Sequence, residues 1–290
     1  MSQTDTTAAR KAQRAHAEAA MGAGAVFADV LCAVDGTRDS FTAVRQAAAL
    51  AGPEGRLTLL AVSATAGAGR YRTAAINPKR IKRVLDIATQ IAREADVESA
   101  RIVEPGGPPS KVIVERAAGH DLLAMGAPKT SWLAGLFVGG VVVSAMRSFT
   151  TPLLLARPAP EEQTFARRIL IASDATDGSD SLVELAALLA REQRGGVLLV
   201  HAAGAESKAR PHRIEAQMRT LGAMLPDACE VHVEPGAPQE VIVDVARSAG
   251  ASLIVMGSRR LDGLRALGSV SERLAHNAPC SVLVVPPPGR

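Results

Sequence analysis

One pattern of short apolar runs, turns and helical stretches occurs twice along this chain, and it constrains the fold more than any other feature. Val30-Leu-Cys-Ala-Val-Asp35 returns as Ile169-Leu-Ile-Ala-Ser-Asp174, in each case an apolar strand ending in an aspartate. An Ala-rich helical run follows each, Phe41–Ala51 and Ser181–Arg191, and then a second strand, Leu57–Val62 and Val197–Ala202. Helical stretches at Pro78–Glu94 and Pro211–Leu225 lead to third strands at Val97–Glu104 and Cys229–Glu234. The later parts match residue by residue: Gly107-Pro-Pro-Ser-Lys-Val-Ile113 and Gly236-Ala-Pro-Gln-Glu-Val-Ile242 share Gly-x-Pro-x-x-Val-Ile. Strands ending in Met125-Gly126 and Met256-Gly257, a glycine-bearing loop, a last helix and strands Leu153–Ala156 and Val282–Val285 close the two copies.

Strands that are apolar throughout, alternating with helices, specify an α/β fold with a parallel sheet covered on both faces. The expectation is two tandem five-stranded domains. The first spans 26–158 and the second 164–287, separated by the Pro158-Ala-Pro-Glu-Glu linker. Residues 1–25 read as a disordered or partly helical tail. The composition suits such cores: 47% of the chain is hydrophobic but only 2% aromatic. Ala, Val, Leu and Ile must therefore fill the interior. So few aromatics leave no stacking platform for single-stranded nucleic acid, and no nucleic-acid partner is expected.

The remaining composition narrows the setting. Cys32, Cys229 and Cys280 have neither C-x-x-C spacing nor an even count, which points to a reducing compartment without a disulfide framework. The six histidines show no metal-ligand spacing, and His201 and His232 fall in strands, where a structural role is expected. The first 25 residues lack the apolar run of a secretory signal. The longest apolar stretch, Leu133–Met146, is broken by Gly135, Gly139 and Gly140 and falls short of the ~20 residues of a membrane span. A soluble, cytoplasmic protein without a membrane partner is expected. Residues 1–158 hold 19 Lys+Arg against 13 Asp+Glu, and residues 159–290 hold 14 against 16. The basic cluster Lys79, Arg80, Lys82 and Arg83 reads as a solvated helix face.

In open parallel sheets ligands sit beyond the carboxyl ends of the strands, and Asp35, Asp174, Gly126 and Gly257 all fall there. In the second copy the loop Met256-Gly-Ser-Arg-Arg260 runs on to Gly268-Ser-Val-Ser271 at a helix start. Glycines, backbone N–H groups and serine hydroxyls can hold a phosphate there, with Arg259, Arg260 and Arg265 supplying charge. Equally, Gly257 can serve a turn and Ser269 a helix cap, and the residues alone leave both readings open. Gly263-x4-Gly268 has P-loop spacing, but Ser269 stands where the lysine belongs. No Gly-x-Ser-x-Gly elbow or paired carboxylates occur, so no catalytic constellation is expected.

Leu253-Ile-Val-Met-Gly257, Gly268-Ser-Val-Ser-Glu-Arg273 and His276-Asn-Ala-Pro-Cys-Ser-Val-Leu-Val-Val285 together resemble the C-terminal signature of the universal stress protein family. The likeness covers both copies, roughly residues 27–287. It implies a Rossmann-like fold of the nucleotide-binding α-hydrolase-like type, pairing through the last strand, and binding of ATP, ADP or AMP with or without Mg. ATP-binding members carry Gly-x2-Gly-x9-Gly-Ser/Thr. Here Arg260 replaces the second glycine of the C-terminal copy, and seven residues rather than nine precede Gly268. In the N-terminal copy Lys129 replaces that glycine, Gly139 keeps the spacing, and Gly140 stands for the Ser/Thr. Val142 and Val143 there replace Ser271 and Glu272.

The resemblance thus implies a stress-response module without enzymatic activity, acting through regulated contacts with a protein partner. In the C-terminal domain Asp174 would meet base or ribose, Ala202 would line the base pocket, and Met256, Gly257, Ser258, Arg259, Arg260, Gly268, Ser269, Val270 and Ser271 would surround the phosphates. The N-terminal counterparts are Asp35, Val62, Gly126, Lys129, Gly139 and Gly140, a poorer donor set whose occupancy is left open. The alternative is a scaffold or dimerisation module that has lost the ligand. Pairing of the two domains within the chain, and a homodimer, are both compatible with the resemblance. The last helix of the first copy, Phe137–Met146, is apolar on nearly every side and is expected to be buried under the partner domain or at a subunit contact, the alternative being that it packs on its own sheet.

Overall fold

The computed structural model describes residues 25–63, 77–127, 140–158, 165–176, 179–204, 211–225, 229–258 and 270–286. Two compact units make up the chain, one of Phe27–Pro158 with Ala275–Asn277 and one of the remainder.

The first unit contains β1 (Asp29–Ala33), α1 (Arg38–Ala51), β2 (Arg56–Ser63), α2 (Pro78–Glu94), β3 (Glu98–Pro105), α3 (Pro109–Ala117), β4 (Leu122–Gly126), α4 (Gly140–Ser148) and β5 (Leu153–Ala156). The second repeat runs β6 (Arg168–Ala172), α5 (Ser179–Glu192), β7 (Gly196–Ala203), α6 (Pro211–Gly222), β8 (Glu230–Pro235), α7 (Pro238–Ser248), β9 (Leu253–Gly257), α8 (Val270–Asn277) and β10 (Ser281–Val285). In the first unit the order across the sheet is β3-β2-β1-β4-β5, and in the second β8-β7-β6-β9-β10. The registers agree too, with Val30 opposite Leu57 and Leu122, and Ile169 opposite Val197 and Leu253, all parallel. The α/β expectation holds in both copies.

Central strands are buried on both faces. Val30, Leu31 and Cys32 of β1 and Ile169, Leu170 and Ile171 of β6 have no exposure, which is why these runs lack alternation. Burial pushes the Cys32 thiol far above its ordinary range, as for a small apolar side chain in a dry core. The sheet edges differ: β3 and β8 leave Val103, Val231 and Val233 exposed.

Helix entry follows the repeated motif. Pro109 and Pro238 stand in the first turns of α3 and α7, where the missing N–H costs nothing. Gly107 and Gly236 precede them at φ +87° and +146°, and a Cβ there would press on Cγ2 of Val112 or Val241. The invariant spacing of Gly and Val in the two copies thus records one contact. At the opposite ends of the strands, the first residues carry opposite charges in the two copies: Asp29 accepts from Arg56 at 2.9 Å, whereas Arg168 donates to Glu230 at 3.0 Å.

Helix α4 is only partly covered. Val142 and Ala145 are buried, but Val141, Val143 and Met146 are only half-buried. An apolar helix surface is covered only where it meets neighbouring elements, here α3. Residues 137–139 of the expected helix, and the tail 1–24, lie outside the described residues.

Glu192, at the end of α5, gives a pH prediction. Partial burial raises its carboxyl above the ordinary 4.5, against the lowering effect of the Val26 N–H it accepts. The charged form is disfavoured in the fold. This contribution to stability is therefore full below the unfolded value and lost as pH rises through the higher folded one. Glu192→Gln is expected to flatten the melting-temperature profile just above pH 4.5, with little effect at lower pH. An unchanged profile would contradict it.

Candidate functional site at the strand tips

In each unit the chain turns one way from the first strand to the second and the other way to the fourth, so the first and fourth strands flank a topological switch point. Crevices form there because the helices that follow these strands leave on opposite faces. In the second unit β6 and β9 are hydrogen-bonded neighbours, Ala172 lying opposite Met256. Asp174 and Gly257 extend just past that pair, on strands about 4.8 Å apart. Ala202 lies on the other flank of β6, two residues beyond Val200, whose carbonyl accepts from the Ser173 N–H at 2.9 Å. Beyond Gly257, the Ser258 N–H is fastened to the Val285 carbonyl at 2.8 Å. The backbone therefore brings Asp174, Ala202, Met256, Gly257 and Ser258 to one end of the sheet, and Val270 and Ser271 open the helix between β9 and β10.

The turn bearing Asp174 is held by its own side chains. Asp174 Oδ1 accepts from the Thr176 N–H at 3.1 Å, the Thr176 hydroxyl at 2.6 Å and the Ser179 hydroxyl at 3.3 Å. Ser173 donates to Ser179 at 2.9 Å and accepts from the Ala175 N–H at 3.0 Å. Ala175 stands at φ +56°, a left-handed conformation unfavourable for a residue with a Cβ. Five contacts on one short turn outweigh that cost, and the aspartate stays exposed at the rim.

The first unit repeats the turn but packs its strand-end glycine tightly. Asp35 Oδ1 accepts from the Thr37 N–H at 2.9 Å and its hydroxyl at 2.7 Å, with Gly36 at φ +84° between them. Gly126, the counterpart of Gly257, is packed. A Cβ there would lie 2.5 Å from the carbonyl carbon of Asp39 and 2.6 Å from the amide nitrogen of Ser40, in the first turn of α1. Its missing side chain admits that helix. No described atom comes within 4 Å of a Cβ on Gly257, which is exposed. The same glycine thus has a packing role in one copy and meets no described atom in the other. Val62 is half-buried at the tip of β2, as Ala202 is at the tip of β7.

Two matches to one family description decide the relationship. The family model for the universal stress protein family fits residues 27–157 and again residues 166–286. The chain belongs to that family. Among curated universal stress proteins, Sll1388 of Synechocystis is 47% identical over 60 residues, 20% of this chain and 39% of its own length. YxiE of Bacillus subtilis is 29% identical over 145 residues, 41% of this chain and 97% of its own. The chain spans only about two-fifths of the first curated relatives, 39% of Sll1388 and 37% of MJ0531 from Methanocaldococcus jannaschii. A solved universal stress protein from Archaeoglobus fulgidus superposes with a TM-score of 0.74 at 21% identity, covering 89% of this chain and 96% of that one. A Pseudomonas aeruginosa protein described as functionally unknown gives 0.67 at 18%, covering 93% and 95%. At those identities the likeness is one of fold.

Within this tandem universal stress protein, several expected site positions have no described geometry: Arg259, Arg260, Gly268 and Ser269 in the second repeat, Lys129 and Gly139 in the first. Gly140 is the first residue of α4. Among the described residues no group of three or more His, Cys, Asp or Glu side chains could hold a metal ion, and no helix is long and apolar enough to cross a membrane. Sequence reading picked the two aspartates but missed what holds them, Thr37 in one turn and Ser173, Thr176 and Ser179 in the other. The signal was present as a second internal repeat, Asp35-Gly-Thr37 and Asp174-Ala-Thr176.

Proposed function

We propose that this universal stress protein binds an adenine nucleotide, ATP foremost, at the strand tips of its second repeat, and that binding regulates contacts with a protein partner. The observation that carries the reading is the exposed Gly257 beside the braced Asp174 turn at a switch point. A backbone without a Cβ lets a phosphate approach its N–H groups, and the start of α8 adds a positive dipole end with the Ser271 hydroxyl. Asp174 offers an acceptor for a ribose hydroxyl or a base amine, and Ala202 a small apolar wall for the ring. A nucleotide bound there needs no group from the chain to break a bond, so the reading is of a binding module.

The first repeat supports a scaffold role, because α1 already occupies the space that Gly126 would offer a ligand. One nucleotide per chain is therefore expected. Isothermal titration with ATP, ADP and AMP, each with and without Mg, tests this. Saturable heat at a stoichiometry near one, lost in Asp174→Ala and kept in Asp35→Ala, is the expected result. No heat at millimolar nucleotide would overturn it.

A further inference from the structure

The two strand tips differ in one buried position that the Asp turns do not explain. His201 is 5% exposed, and its ring Nδ1 lies 3.0 Å from the carbonyl oxygen of Ser173. A carbonyl only accepts, so Nδ1 is the protonated nitrogen and donates. The corresponding pair in the first unit is Ala61 and Val34, both apolar and 5% exposed; Val34 donates its N–H to Leu60 as Ser173 does to Val200. A buried imidazole is a costly substitute for alanine unless its hydrogen bonds are made. Here one of them goes to the backbone immediately before Asp174.

The Ser173 carbonyl belongs to the same peptide plane as the Asp174 N–H. Fixing that oxygen fixes the plane from which the aspartate side chain projects. Ser173 is then held at every polar group: its N–H by Val200, its oxygen by His201, its hydroxyl by Ser179 and Ala175. We infer that His201 is a positioning residue of the second repeat, locking the Ser173–Asp174 peptide so that Asp174 presents its carboxylate to the nucleoside part of the ligand. This rests on the nucleotide reading above and its separation of nucleoside and phosphate sides. The β6–β7 side recognises base and ribose, and the β9–α8 side recognises phosphate.

Removal of His201 should therefore discriminate between ligands. Titration of the full chain with ATP and with inorganic tripolyphosphate compares wild type, His201→Ala and His201→Asn. In asparagine the amide nitrogen stands as many bonds from Cβ as Nδ1 does, so it can donate to the same carbonyl. His201→Ala is expected to weaken ATP about five- to tenfold, the worth of one hydrogen bond, and to leave tripolyphosphate within about twofold. His201→Asn is expected to restore ATP to within about twofold. Equal losses for both ligands, or no loss of ATP, would overturn the inference. Amide hydrogen exchange without ligand gives an independent arm: His201→Ala should deprotect Ala175 and Thr176 while leaving Thr37 unchanged. If wild type binds neither ligand the nucleotide reading fails by itself, and retained protection at 175 and 176 would then refute the positioning role.

Discussion

Gly126→Ala is expected to destabilise the protein by about 3 kcal/mol, whereas Gly257→Ala is expected to change stability by less than about 0.5 kcal/mol. The two glycines close equivalent strands, and sequence alone gives no reason to treat them differently. At 126 a methyl group would sit 2.5–2.7 Å from three backbone atoms of Asp39 and Ser40. Backbone in the first turn of a helix cannot yield as the end of a flexible side chain can. The helix must move away, and Thr37, Ser40 and the core residues Ala43, Val44 and Ala47 move with it. At 257 the added methyl meets no described atom and the residue needs no left-handed backbone. Urea denaturation measures both, with a midpoint shift of about 1 M or more for the first and almost none for the second. Equal shifts would show that the two crevices are alike. In nucleotide titrations the order should reverse, since only the methyl at 257 intrudes on the proposed phosphate approach.

That reversal shows where sequence reading succeeds and where it stops. The fold was legible because strands buried on both faces leave unmistakable apolar runs, and because each run had a second copy to confirm it. Pro78 and Pro211 open their helices at the expected residues. The aspartates were legible as polar residues at the ends of apolar strands. The role of Gly126 was not, because it depends on the approach of a helix more than 80 residues earlier in the chain. The His201–Ser173 bond escaped for the same reason: each residue looks ordinary in its own strand, and the contact exists only once β6 and β7 lie side by side. The partial cover of α4 is illegible for a related reason, since composition reports how apolar a helix is and not how much of it a neighbour covers.

The sheet centre should answer differently from its edges. Leu170→Ala is expected to cost about 3–5 kcal/mol, the loss of buried methyl groups together with the cavity left behind. Leu170 has no exposure and is flanked on β6 by Leu198 of β7 and Ile254 of β9, both almost wholly buried. Neighbours held by a ladder on each side cannot collapse into the gap, which places the loss toward the upper part of that range. Val233→Thr on β8 removes a similar hydrophobic side chain by sequence criteria, yet Val233 is 38% exposed on a strand paired only with β7 in this unit. Its effect should stay within about 0.5 kcal/mol. Paired denaturation curves decide it, and a cost at 233 approaching that at 170 would mean the edge valine is covered in solution. Because β6 also carries the Asp174 turn, Leu170→Ala should loosen the proposed ligand site as well, and saturating ATP should recover part of the lost stability through preferential binding to the folded chain.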